Sequence, residues 1–111
     1  MHGDFKKLKF EEDLVPAILN GEKTTTFRLY DDKNIQDGDH LILYDKHNGE
    51  EIARADVMLV YEKKFGDLSD EDFKGHEKYE SMEIMREKFQ QYYSEDVNDE
   101  TPVKIIRFKI V

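Results

Sequence analysis

The sequence predicts an α+β domain in which mostly antiparallel strands curl into a β-barrel with flanking helices. Three observations lead there. At 111 residues the chain suffices for one hydrophobic core but not for two cores and a linker, so residues 1–111 are read as a single domain. Stretches of near period-two alternation at 40–44, 51–63 and 102–111 point to strands, the first two joined by Asn48-Gly49, a strong hairpin signal. Two shorter segments, 14–19 and 82–92, carry apolar residues at helical spacing.

In chain order, Lys6-Lys7-Leu8-Lys9-Phe10 reads as a short edge strand. Leu14, Val15, Ile18 and Leu19 then form a helical stripe that Asn20-Gly21 stops. From Thr24 to Leu29 the β-branched and aromatic content favours a strand, with Thr24, Thr26 and Arg28 on one face and Thr25, Phe27 and Leu29 on the other. A polar loop from Asp31 to Gly38 leads to the strand His40–Tyr44. In the longer strand Glu51–Lys63, the residues Ile52, Ala55, Val57, Leu59 and Tyr61 are assigned to a face covering the barrel core. Ser69-Asp70-Glu71-Asp72 has the composition of a helix N-cap with acids in the first turn, and Met82, Met85, Phe89 and Tyr92 share one face of a later helix. Pro102–Val111 closes the domain as a strand.

Composition narrows the function classes. Seven Phe and six Tyr supply the bulky apolar surface that disordered chains lack, despite a hydrophobic fraction of only 38%. Without cysteine there is no disulfide framework, Cys-based zinc site or thiol nucleophile. No stretch approaches the roughly 20 apolar residues of a membrane span, and Met1–Lys7 has no secretory apolar region, so a cytoplasmic protein without a membrane partner is expected. The net charge of −9 opposes a large nonspecific grip on nucleic acid. That excess lies downstream, because residues 1–30 hold five basic and five acidic side chains and leave room for a local nucleotide site near Arg28.

The candidate working segment is Gly21-Glu22-Lys23-Thr24-Thr25-Thr26-Phe27-Arg28. There a helix ends and an amine, hydroxyls and a guanidinium follow within one polar stretch, a set suited to an anionic or carbonyl-bearing ligand. A capping glycine followed by an ordinary polar strand face accounts for the same residues. Strict alternation would send Lys23 and Thr26 to opposite faces, so they converge only if Lys23 lies in the turn before the strand.

Gly21-x-Lys23-x-x-Thr26-x-Arg28, Gly38-Asp39, Ile52-Ala53-Arg54-Ala55-Asp56-Val57 and Pro102-Val103-x-x-Ile106-Arg107-Phe108 together resemble ASCH domains over nearly the whole chain. The resemblance implies a PUA-like β-barrel and a nucleotide or RNA ligand. Its nearest branch is a group of small bacterial amidohydrolases that deacetylate N4-acetylcytidine. It implies Lys23 as base, Thr26 as nucleophile and Glu80, in His76-Glu77-Lys78-Tyr79-Glu80, as proton shuttle. Gly21, Thr24, Arg28 and Tyr79 would contact substrate, with Tyr79 able to stack on a base. At Glu22 family members often carry a second basic residue.

No cofactor is expected. His76-Glu77 begins like a zinc-protease helix, but the second histidine of that pattern is missing, so no metal is assigned. His2, His40 and His47 read as solvated side chains or local hydrogen-bond partners. The expected partner is a small nucleoside or nucleotide, with RNA as a further candidate and the oligomeric state open. A noncatalytic RNA- or nucleotide-binding module, or a sensor of a small anion, would use the same Lys23 and Arg28 without turnover.

Overall fold

The computed structural model describes residues 5–30 and 33–111. The opening residues 1–4 and Asp31-Asp32, at the head of the expected polar loop, lie outside the described residues. Five strands, β1 (Phe5–Phe10), β2 (Thr25–Arg28), β3 (His40–Asp45), β4 (Glu51–Lys64) and β5 (Pro102–Ile110), form one mixed sheet in the order β1-β3-β4-β5-β2. Among the described residues only the β1–β3 pairing is parallel; the other three are antiparallel. The sheet curls into a half-barrel, with β1 and β2 at the two ends of the strand order.

Helix α1 (Val15–Leu19) has Pro16 in its first turn, where a missing N–H costs nothing. It ends at Gly21, whose φ of +84° is a left-handed conformation that glycine adopts without strain. Helix α2 (Met82–Tyr93) starts at Ser81, whose hydroxyl accepts from the Ile84 N–H at 3.2 Å, and stops at Ser94 with φ +55°. Among the described residues no helix is long and apolar enough to cross a membrane.

Two apolar clusters build the interior. Leu8, Phe10, Ile18, Leu41, Leu43, Ala55, Val57 and Phe108 fill the concave side of the half-barrel. Phe27, Phe65, Met85, Phe89, Val103 and Ile105 fill the space beneath α2. Each fully buried side chain of this size contributes about 1.5–3 kcal/mol of transfer free energy.

Three expectations fail locally. A register irregularity between Val57 and Leu59 interrupts the alternation of β4. Past it Leu59 is exposed while Val60 packs against the first cluster, because one extra residue switches faces. The Ser69–Asp72 segment forms successive turns rather than a helix, since the Asp72 carboxylate folds back onto the Ser69 N–H at 2.8 Å and onto β4. On α2, Met85 and Phe89 are buried as expected, but Met82 and Tyr92 are exposed, so the buried stripe spans a single turn.

Candidate active site

The half-barrel fails to close between the edges of β1 and β2, and a cavity lies along that gap. Arg28 staples the edges: its Nη2 donates to the Lys9 carbonyl at 2.9 Å and its guanidinium lies 4.7 Å from the centre of the Phe10 ring. The cavity measures about 410 Å³, within the range of small-molecule sites. Lys23, Thr26, Phe27 and Arg28 line it from one side, His76, Glu77 and Tyr79 from the loop before α2, and Phe89, Tyr92 and Tyr93 from the helix.

Lys23 reaches this wall because the chain turns sharply after α1. Its N–H donates back to the Ala17 carbonyl at 3.0 Å, so it precedes the regular pleat, which begins at Thr25. The side chain is 3% exposed. Its ammonium donates to the Thr25 carbonyl at 2.8 Å and to Glu77 Oε1 at 2.5 Å, leaving one of its three donor positions uncommitted. Burial pulls the Lys23 pKa below its usual value; Glu77 opposes this and Arg28 adds to it. Burial acts to raise Glu77, but neighbouring His76 and Lys23 outweigh it and hold the carboxyl low.

Thr26, nearly buried, has its Oγ1 accepting from Arg28 Nε at 3.2 Å. This bond favours negative charge on the hydroxyl oxygen and leaves the hydroxyl hydrogen free to be donated elsewhere. Glu77 is brought in by two anchors on its loop. The Gly75 carbonyl accepts from the N–H groups of Thr24 and Thr25 at 2.8 and 3.0 Å, and the Lys74 carbonyl accepts from Thr25 Oγ1 at 2.7 Å. A Cβ at Gly75 would meet Thr24 Oγ1 at 2.1 Å, so the close approach needs glycine. Upstream, the buried Asp72 accepts from Tyr61 Oη at 2.6 Å and from Lys63 Nζ at 2.9 Å, fastening the loop to β4.

His76 stacks on Phe27 with ring centres 3.9 Å apart, and its Nδ1 lies 2.7 Å from the Glu77 carbonyl oxygen and 3.2 Å from Oε1. Burial lowers its pKa to about 4, Lys23 acting in the same direction and Glu77 against it. The folded state therefore keeps His76 neutral while the unfolded chain takes a proton below pH 6.5. Bound protons then favour unfolding, so stability falls as the pH drops through that window. Urea unfolding is expected to show a loss of roughly 2–3 kcal/mol from pH 7 to pH 4.5, largely absent in His76→Phe, which keeps the stack without the titration.

A family model for the ASCH domain matches residues 3–111. The chain belongs to the ASCH domain family. No curated protein matches the sequence significantly. Similar folds occur in the ASCH domain of Lactobacillus crispatus JV V101, at 16% identity and TM-score 0.68, over 88% of this chain and 70% of that one. A protein of Enterococcus faecalis V583 aligns at 15% identity and TM-score 0.75, over 89% and 70% of the two chains. A protein of Pyrococcus furiosus aligns at 18% identity and TM-score 0.66, over 97% and 98%. The curled mixed sheet with two helices is thus the PUA-like α+β fold of ASCH domains.

Of the residues singled out from the sequence of this ASCH domain, Lys23, Thr26, Arg28 and Tyr79 line the cavity. Gly21 and Thr24 do not: the glycine ends α1, and Thr24 packs against Gly75. Glu80 is exposed and outside the lining, so the carboxylate beside Lys23 is Glu77, three residues earlier. The segment is extended and turning there rather than helical, so spacing counted along it does not translate into a shared face. In the sequence His76 and Glu77 stand out as the start of a zinc-protease-like pattern without its second histidine and as part of the segment carrying Glu80, and neither reading places Glu77 at Lys23.

Proposed function

We propose that this ASCH domain is an amidohydrolase that removes the acyl group from the exocyclic amine of a modified nucleoside such as N4-acetylcytidine. The observation that carries the reading is the ion pair between buried Lys23 and half-buried Glu77 on the wall of the cavity that also holds Thr26. Burial of the Lys23 ammonium brings the ion pair closer in energy to its neutral form than a pair in water, so Lys23 can pass a proton to Glu77 and become a free amine.

That amine takes the Thr26 hydroxyl proton as the oxygen attacks the acyl carbon, with the Arg28 Nε–H bond stabilising the charge that develops on Oγ1. As the C–N bond breaks, the protonated Glu77 carboxyl gives its proton to the departing amine, releasing the nucleoside. Water then attacks the threonyl ester and gives a proton to the Glu77 carboxylate, Lys23 returns its proton to Thr26 Oγ1 as the ester C–O bond breaks, the acyl group leaves as the carboxylic acid, and proton transfer from Glu77 to Lys23 restores the ion pair. The aromatic walls, Tyr79 among them, suit a planar base.

The test is conversion of N4-acetylcytidine to cytidine, followed by absorbance in wild type, Thr26→Ala and Glu77→Gln. Wild type is expected to turn over, and Thr26→Ala to lose at least about 10³-fold in kcat. Glu77→Gln lowers the rate and moves the acid limb of the pH profile to lower pH, because Glu77 is what raises the Lys23 pKa against burial. A folded wild type that binds cytidine without turnover would replace this reading with a nucleotide-binding module.

A further inference from the structure

Charge is distributed unevenly around the cavity. On a chain of net charge −9, the lining carries Lys9, Lys23, Arg28, Lys78 and Lys88 against Glu11, Asp13 and Glu77. Two of the carboxylates are engaged, Glu77 by Lys23 and Glu11 by Lys46 at 3.3 Å, which leaves Asp13. Lys9, Lys78 and Lys88 are exposed at the mouth, and among the described residues none of the three has an ion-pair partner. Lys88 lies over the Tyr79 ring at 5.5 Å and Lys78 lines the same cavity, so two cations share the mouth with the aromatic wall on which a base would rest.

We infer that the cavity takes its substrate as a nucleoside monophosphate, the base between the aromatic walls and the phosphate at the mouth against Lys78 and Lys88, with Lys9 opposite. The inference rests on the nucleoside reading above and specifies its substrate class. A positive mouth on a chain of net charge −9 concentrates a small dianion locally, whereas a polynucleotide would extend past the mouth and meet that net negative charge. Glu22, where a second basic residue is common in the family, lies outside the lining, so its charge does not replace that of the mouth.

Binding separates this inference from the catalytic reading. Calorimetry at low salt should find cytidine 5′-monophosphate bound at least about tenfold more tightly than cytidine. The preference should fall toward one in Lys78→Ala/Lys88→Ala, whose changes are at exposed positions, and should shrink at high salt. If N4-acetylcytidine turns over but nucleotide and nucleoside bind alike, the phosphate inference fails and the catalytic reading stands. If the nucleotide preference depends on Lys78 and Lys88 but neither acetylated form is hydrolysed, the reverse holds. Failure of both ligands to bind, or an oligonucleotide binding far more tightly than the mononucleotide, would also overturn the inference.

Discussion

Lys23→Met is expected to abolish N4-acetylcytidine turnover, by about 10³-fold or more, while leaving the unfolding midpoint unchanged or raised. Both halves follow from one feature of the site. The ammonium is 3% exposed, and burial is the dominant influence on its pKa, so the folded state holds this cation at a cost. Methionine preserves most of the side-chain volume and removes that cost. Glu77, 33% exposed, can recover water when its partner is gone. Lys23→Arg separates charge from proton transfer: a guanidinium retains the charge but does not give up a proton near neutral pH, so the variant should also be inactive. Measured kcat alongside thermal unfolding decides the matter. Retention of turnover by Lys23→Met would remove Lys23 from the chemistry, and a large fall in midpoint would make it a structural residue.

The second large effect belongs to Asp72. Its carboxylate accepts from Tyr61 Oη, Lys63 Nζ, and both the N–H and hydroxyl of Ser69. Burial acts to raise its pKa, but these bonds overcome it and hold the carboxyl at about 2. Because this is a depressed carboxyl, its contribution is present above the unfolded value of 3.8 and is lost as pH falls toward 2, about 2 kcal/mol in all. Asp72→Ala removes the contribution at every pH and takes the acceptor from the half-buried Tyr61 hydroxyl and Lys63 ammonium, so denaturant unfolding at pH 7 should show a loss of about 2–4 kcal/mol. The loop from Ser69 to Glu77 then loses its side-chain fastening to β4 and is held by its bonds to β2 and by the bond from Arg107 on β5 to the Glu71 carbonyl. Glu77 is placed less accurately against Lys23, and turnover is expected to fall about tenfold under conditions where the variant is folded. A variant of unchanged stability would show that the Asp72 cluster does not clamp this loop.

Much of the architecture follows from local rules. Alternation in 40–44 and 102–110, the turn at Asn48-Gly49, the stop at Asn20-Gly21 and the apolar positions Met85 and Phe89 each rest on a few neighbouring residues, and the corresponding strands, hairpin and helices form. The irregularity after Val57 lay beyond those rules, because it depends on how β4 must bend to pair with both β3 and β5. The Ser69 segment was misread for a related reason. Its capping composition is real, but Asp72 finds partners on β4, and those long-range bonds favour turns over a helix.

The sequence by itself determined the α+β class, the family to which the chain belongs, and the short segment carrying Lys23, Thr26 and Arg28. Tertiary structure decided what faces that segment. It set Lys23 in the turn before β2, opened the cavity between two strand edges, and chose Glu77 over Glu80 as the carboxylate at the amine. The physical reason is range. Periodicity and capping report interactions within a few residues, whereas Lys23 and Glu77 stand 54 positions apart and meet only through the docking of the Gly75 loop on β2.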